Sequence, residues 1–139
     1  MHPGYSNMKK LLILLFLTAL LMACAHGRTE HFPTADKSAE TAEVFIIRDN
    51  NLVGWGFSLR VVFDDNVIAR LRAGEYVTFY AEPGFHSYGI SKATETAAIE
   101  ANQKYFFLIS PDYTEFGFEI TRIGDQKAEY WLARTKPLK

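Results

Sequence analysis

The sequence predicts an all-β domain, mainly antiparallel: a β-sandwich or partial barrel of about seven or eight short strands, with a short C-terminal helix. Two observations carry this. Short apolar or alternating segments recur from residue 44 onward, with turn residues between them at roughly regular intervals. The chain is also rich in aromatics (Phe 11, Tyr 7, Trp 2), and most of them lie between Phe45 and Trp131, where a core can form.

The elements follow in order. Residues 44–48 are an apolar, β-branched run, and residues 49–57 are a turn-rich loop. Residues 58–64 alternate, with Leu59, Val61 and Phe63 on one face. Asp65-Asn66 is expected to make a two-residue hairpin turn, since both residues tolerate φ > 0, and residues 67–71 return antiparallel. Ala73-Gly74 breaks the pattern. A strand over 75–81 puts Val77 and Phe79 on one face and Tyr76, Thr78 and Tyr80 on the other. Pro83-Gly84 has the residues of a type II turn, followed by strands over 85–91 and, more weakly, 96–99. Asn102-Gln103 reads as a turn. Residues 104–110 carry Tyr105, Phe106, Phe107, Leu108 and Ile109 without alternation, as expected of a central strand covered on both faces. Phe116, Phe118 and Ile120 alternate with Gly117, Glu119 and Thr121, predicting a half-buried strand. Asp125 is an expected N-cap for a helix over 126–134, whose Ala128, Trp131 and Leu132 stand at i, i+3 and i+4. Pro137 stops it.

Bulk properties narrow the function. With 139 residues, 48% hydrophobic and 22% charged, the chain can bury one ordinary core. A formal net charge of −1 supplies no basic excess for phosphate backbones, so nucleic acid is not an expected partner. The single Cys allows neither an intramolecular disulfide nor a Cys-rich metal site.

The N-terminal segment reads as an address. Lys9 and Lys10 precede an apolar stretch over 11–22, which falls short of the ~20 residues that span a bilayer and has the size of a secretory h-region. Leu21-Met22-Ala23-Cys24 resembles the bacterial lipobox, in which the Cys thiol takes a diacylglycerol and the bond before it is cut. The resemblance implies a signal peptide over 1–23 and lipid attachment at Cys24. Residues 1–7 read as an upstream extension, with Met8 as an alternative start. Two or more acyl chains hold a protein stably at a membrane. Ala25, rather than Asp, follows the Cys, which by the same resemblance favours the outer membrane, facing the periplasm. Residues 24–41 read as the lipidated Cys and a flexible tether, polar and broken by Gly27 and Pro33. His26 and His31 there read as solvated rather than as metal ligands. The domain proper is then 42–139.

Residues 42–109 resemble a family of bacterial envelope lipoproteins, the domain of unknown function 2846 family. Ala42-Glu43-Val44-Phe45-Ile46-Ile47-Arg48 matches its opening strand ending in Arg. Residues 61–76 match its V-x-V-D-G-x-x-V-G-x-L-x-x-G-x-Y hairpin, with Asp65-Asn66 in place of the usual D-G. Pro83-Gly84-Phe85-His86 and Lys104-Tyr105-Phe106 match its later turn and aromatic strand. The resemblance implies a β-rich fold and an envelope location, and brings no activity or catalytic residues.

No catalytic set emerges from the residues, and no cofactor or metal is expected. Asp64 and Asp65 are adjacent and would point to opposite faces of a strand, so a turn role fits them better than a carboxylate pair. Gly54-Trp55-Gly56 has no Lys-Ser/Thr after it to hold a phosphate, and the G-x-S-x-G elbow is missing. His86, the one His of the domain, is expected to bond a neighbouring backbone carbonyl. The alternative is a periplasmic cell-wall hydrolase using His86 with a nearby acid. Trp55 admits two readings: exposed, it is an aromatic anchor for a partner; buried, the commoner fate, it plugs one end of the sandwich. The loop carrying Leu52, Trp55 and Phe57 is thus expected to fold back on the core or to meet a partner, taken to be another envelope protein. The expectation is a membrane-anchored envelope lipoprotein serving as a binding or structural module, not an enzyme.

Overall fold

A computed structural model describes residues 8–13 and 27–138. Cys24 and the cleavage region lie outside the described residues. Residues 8–13 are helical, and no helix among the described residues is long and apolar enough to cross a membrane.

The domain is a sandwich of two five-stranded sheets. The strands are β1 (Arg28–Thr29), β2 (Ala42–Arg48), β3 (Leu59–Phe63), β4 (Asn66–Leu71), β5 (Glu75–Ala81), β6 (Gly84–Ile90), β7 (Ala93–Ile99), β8 (Lys104–Asp112), β9 (Gly117–Ile123) and β10 (Lys136–Pro137). One sheet has the order β1-β4-β3-β6-β7 and the other β10-β5-β2-β8-β9. Pairing is antiparallel except for β2 with β8 and β10 with β5. Inward residues of both sheets, among them Val44, Ile46, Val61, Leu71, Phe79, Phe107 and Ile109, interdigitate as the main core.

A second apolar layer explains the strands that do not alternate. The helix Asp125–Leu132 lies over the outer face of the second sheet, where Ala128 packs with Ile47, Phe106, Leu108 and Ile123. β2 and β8 are neighbours in that sheet and therefore bury both faces. Trp131 and Leu132 complete the helix stripe. The N-cap is Gly124 and makes no side-chain cap; Asp125 is instead the first helical residue, where its charge suits the positive end of the helix.

Three local expectations are corrected. The hairpin turn is Asp64-Asp65, not Asp65-Asn66: both Asp residues have positive φ (48° and 62°), and Phe63 pairs with Asn66. A bulge between Val61 and Val62 takes up the shifted register. Phe116 has φ +53° and stands in the loop before β9, 97% exposed, rather than in the half-buried strand. The flexible tether expected over 25–41 does not extend across residues 28–41. There β1 pairs with β4, Glu30 and His31 donate backbone N–H bonds to Ile68 and Val67, Phe32 packs edge-on to Phe79, and Ala35 bridges Tyr80.

Candidate functional site

The two ends of the sandwich differ in character. At one end stand the residue 49–57 loop, the turn before β5, and the loop between β8 and β9. This end is organised by Arg48. Period two along β2 aims Arg48 to the same side as Ala42, Val44 and Ile46, into the mouth of the sandwich, where it is 0% exposed. Its guanidinium Nη1 donates to the carbonyls of Phe57 and Leu71, and Nη2 to that of Gly54, all at 2.8 Å. Nε alone has no hydrogen-bond partner. The cation lies 5.5 Å from the Phe57 ring centroid and 5.1 Å from that of Phe118, which meet edge to face. Burial pushes the Arg48 pKa down, and the charges of Asp49 and Glu75 oppose the shift. Burial likewise pushes the Asp49 carboxyl up, against the Asn51 N–H and Arg48.

Arg48 thus clips the loop backbone to the core and leaves its side chains outward. Leu52 is 83% exposed, Trp55 60% and Phe57 51%, with Val53 also exposed. Trp55 is therefore not the plug: Arg48 between Phe57 and Phe118 fills that place. Gly54 has φ +71°, and a Cβ there would fall 2.6 Å from Phe118 and 2.8 Å from Phe57, so the loop needs glycine at this point. The neighbouring loop adds exposed Tyr113 and Phe116, and Asn51 Nδ2 donates to the Tyr113 hydroxyl at 3.1 Å, tying the two loops together. Asp112 fixes the second loop by accepting from Thr114 N (2.8 Å), Thr114 Oγ1 (2.6 Å) and Glu115 N (3.3 Å). These bonds hold its carboxyl below the ordinary carboxylate range, led by the Thr114 hydroxyl. The loop residues Leu52, Trp55 and Phe57 expected from the sequence are brought together here. Arg48, which holds them, was missed, although an Arg ending an apolar run with inward phase is a legible signal.

The opposite end carries His86. Its Nδ1 lies 2.7 Å from Asp64 Oδ2 and its Nε2 2.7 Å from the Glu82 carbonyl, while its ring stacks on Phe63. Asp64 Oδ1 also accepts from Ser87 N. The expected bond to a backbone carbonyl is present, and a carboxylate lies on the other nitrogen. The pair borders a cavity of about 520 Å³, lined also by Phe32, Phe63 and Tyr80. Both ring nitrogens face oxygen acceptors, so neither points a free lone pair into that cavity. Asp36, Glu40, Asp65, Glu82 and Glu100 also lie in exposed turns at this end. Among the described residues no group of three His, Cys, Asp or Glu is placed to hold a metal ion.

No known family, curated protein or solved structure matches this chain.

Proposed function

We propose that this chain is a lipid-anchored binding or structural module of the bacterial cell envelope, held by acyl groups on Cys24 at the periplasmic side of the outer membrane. The observation that carries the binding role is the preformed apolar end: six exposed apolar or aromatic side chains on two loops that Arg48, Asn51 and Asp112 hold in place. Contiguous exposed apolar surface of this kind marks an interaction site. The anchor is supported by Leu21-Met22-Ala23-Cys24, which resembles a lipobox and follows a short apolar stretch. Metabolic labelling with a clickable fatty acid tests it. Wild type incorporates label and Cys24→Ala does not; equal labelling overturns the anchor.

A second reading, an envelope hydrolase, draws on His86 and Asp64 beside the cavity. General-base catalysis needs a nitrogen open to substrate, and both nitrogens of His86 are engaged. Release of soluble fragments from isolated cell wall by wild type, lost in His86→Ala, would favour this reading over the binding module.

A further inference from the structure

We infer that the apolar end of the sandwich rests in the interfacial layer of the bilayer itself, with Leu52, Val53, Trp55, Phe57, Tyr113 and Phe116 as the contacting side chains. This rests on the reading of Cys24 as lipidated. The occupant follows first from where the chain enters the domain. Arg28 pairs with Arg70, and the chain then runs along β4 towards Val67, away from the apolar end. Gly27 therefore sits at that end, where a Cβ would fall 2.8 Å from the Arg70 carbonyl oxygen and would meet the Glu75 carboxylate. One residue before Glu75, Gly74 donates its N–H to the Asp49 carbonyl at 2.8 Å, at the base of the apolar loop. Entry point and loop share one end of the sandwich. Cys24 is three residues from Gly27, a reach of roughly 10 Å at full extension. A seven-residue strand such as β2 is about twice as long, so the His86 end cannot be the one held against the lipid.

The loop chemistry suits that layer. None of the residues 50–57 is ionisable. Much of the loop's backbone is already engaged: Gly54 and Phe57 carbonyls take Arg48, Trp55 N donates to Leu52 O, Phe57 N to Gly54 O, and Val53 N to Asn51 Oδ1. The groups left over, among them the Val53 and Trp55 carbonyls, need water, which the interfacial layer supplies and the hydrocarbon core does not. Trp and Tyr favour the headgroup level, where one part of the ring is apolar and another wet. The acidic turns with Asp64, Asp65 and Glu82 lie at the far end, in water, whereas exposed Glu115 stands between Tyr113 and Phe116 and holds that loop at the headgroup level rather than deeper.

The test uses the full-length protein purified from cell membranes and returned to phosphatidylethanolamine–phosphatidylglycerol vesicles whose acyl chains are brominated near the headgroup. Lipid on Cys24 is read separately by intact mass. Trp55 and Trp131 are the only tryptophans, and Trp131 lies on the C-terminal helix. Native emission should fall measurably in brominated vesicles, the loss coming from Trp55 at the interface and not from Trp131; Trp55→Phe should remove most of that quenching, and Phe116→Trp in the same chain should restore it. Both positions are exposed, so neither change disturbs the core. A lipidated protein whose Trp55 is not quenched overturns the inference and leaves the lipoprotein reading standing; a crosslink from position 55 to another envelope protein would then identify the occupant. A protein without lipid on Cys24 overturns both.

Discussion

Arg48 and Gly54 are joined by a 2.8 Å hydrogen bond from the guanidinium Nη2 to the loop carbonyl, and a Cβ on Gly54 would stand 3.0 Å from that same nitrogen. The two positions are matched: the arginine needs the carbonyl, and the carbonyl can approach because the residue has no side chain. Gly54→Ala should therefore lower stability by about 1–3 kcal/mol through positive φ and crowding against Phe57 and Phe118. Gly56→Ala meets nothing within 4 Å and should stay within about 0.5 kcal/mol of wild type. Urea denaturation of the two variants side by side checks the contrast.

Arg48 itself satisfies three carbonyls in a closed mouth. A lysine keeps the charge and has three donors, but carries them on one nitrogen, which does not take the places of both Nη1 and Nη2. Arg48→Lys should cost roughly 2–4 kcal/mol, since buried acceptors are left unmet. Amide exchange should rise at Trp55 and Phe57 above any rise in the core strands; uniform exchange across the domain would argue against a local clip.

Much of the sandwich was readable because local chemistry and tertiary role coincide. In β5 the alternation of Val77 and Phe79 with Tyr76, Thr78 and Tyr80 is the burial pattern found. The unbroken run Tyr105 to Ile109 marks β8 as covered twice, by the main core and by the helix. What was not readable depends on partners far along the chain. Pro83-Gly84 reads as a turn, but only the fold reveals that it carries the chain from one sheet to the other. Residues 28–41 have no apolar period because backbone pairing at a sheet edge demands none. Residue type favoured a buried Trp55, and the structure exposes it, because the decision lies with Arg48, nine residues from Phe57, the partner it holds.

Acidification should loosen the second apolar loop. Asp112 has a lower pKa folded than unfolded, led by its bond from the Thr114 hydroxyl. Its stabilisation is complete above the unfolded value, about pH 4, and is lost as pH falls through the folded value. Exchange at the Thr114 and Glu115 amides, corrected for intrinsic rates, should therefore rise only below about pH 4. Asp112→Asn should show raised exchange already at neutral pH, and a flat profile there would remove Asp112 from this role.

At the far end, Asp64 and His86 should be coupled. Asp64 is half exposed and its partner mostly covered, so screening limits the effect to about 0.5–1 kcal/mol. A double-mutant cycle with Asp64→Ala and His86→Ala, read by chemical denaturation, should be non-additive by that amount. Additive losses would mean that the 2.7 Å contact contributes nothing measurable.

The parallel pairing of β2 with β8 sets the order in which the domain can assemble. The hairpin of β3 and β4 closes over a two-residue turn and can form as soon as it exists. β2, by contrast, is flanked by β5 and by β8, and Val44 meets Tyr105 only after the chain between them has been laid down. β10, close to the last described residue, adds parallel to β5 on the same sheet. Half of the sandwich thus has high contact order and cannot be finished by a nascent N-terminal fragment. Native pairing of β2 with both neighbours therefore waits until nearly all of the chain is available, and it is slow beside the closure of the β3–β4 hairpin.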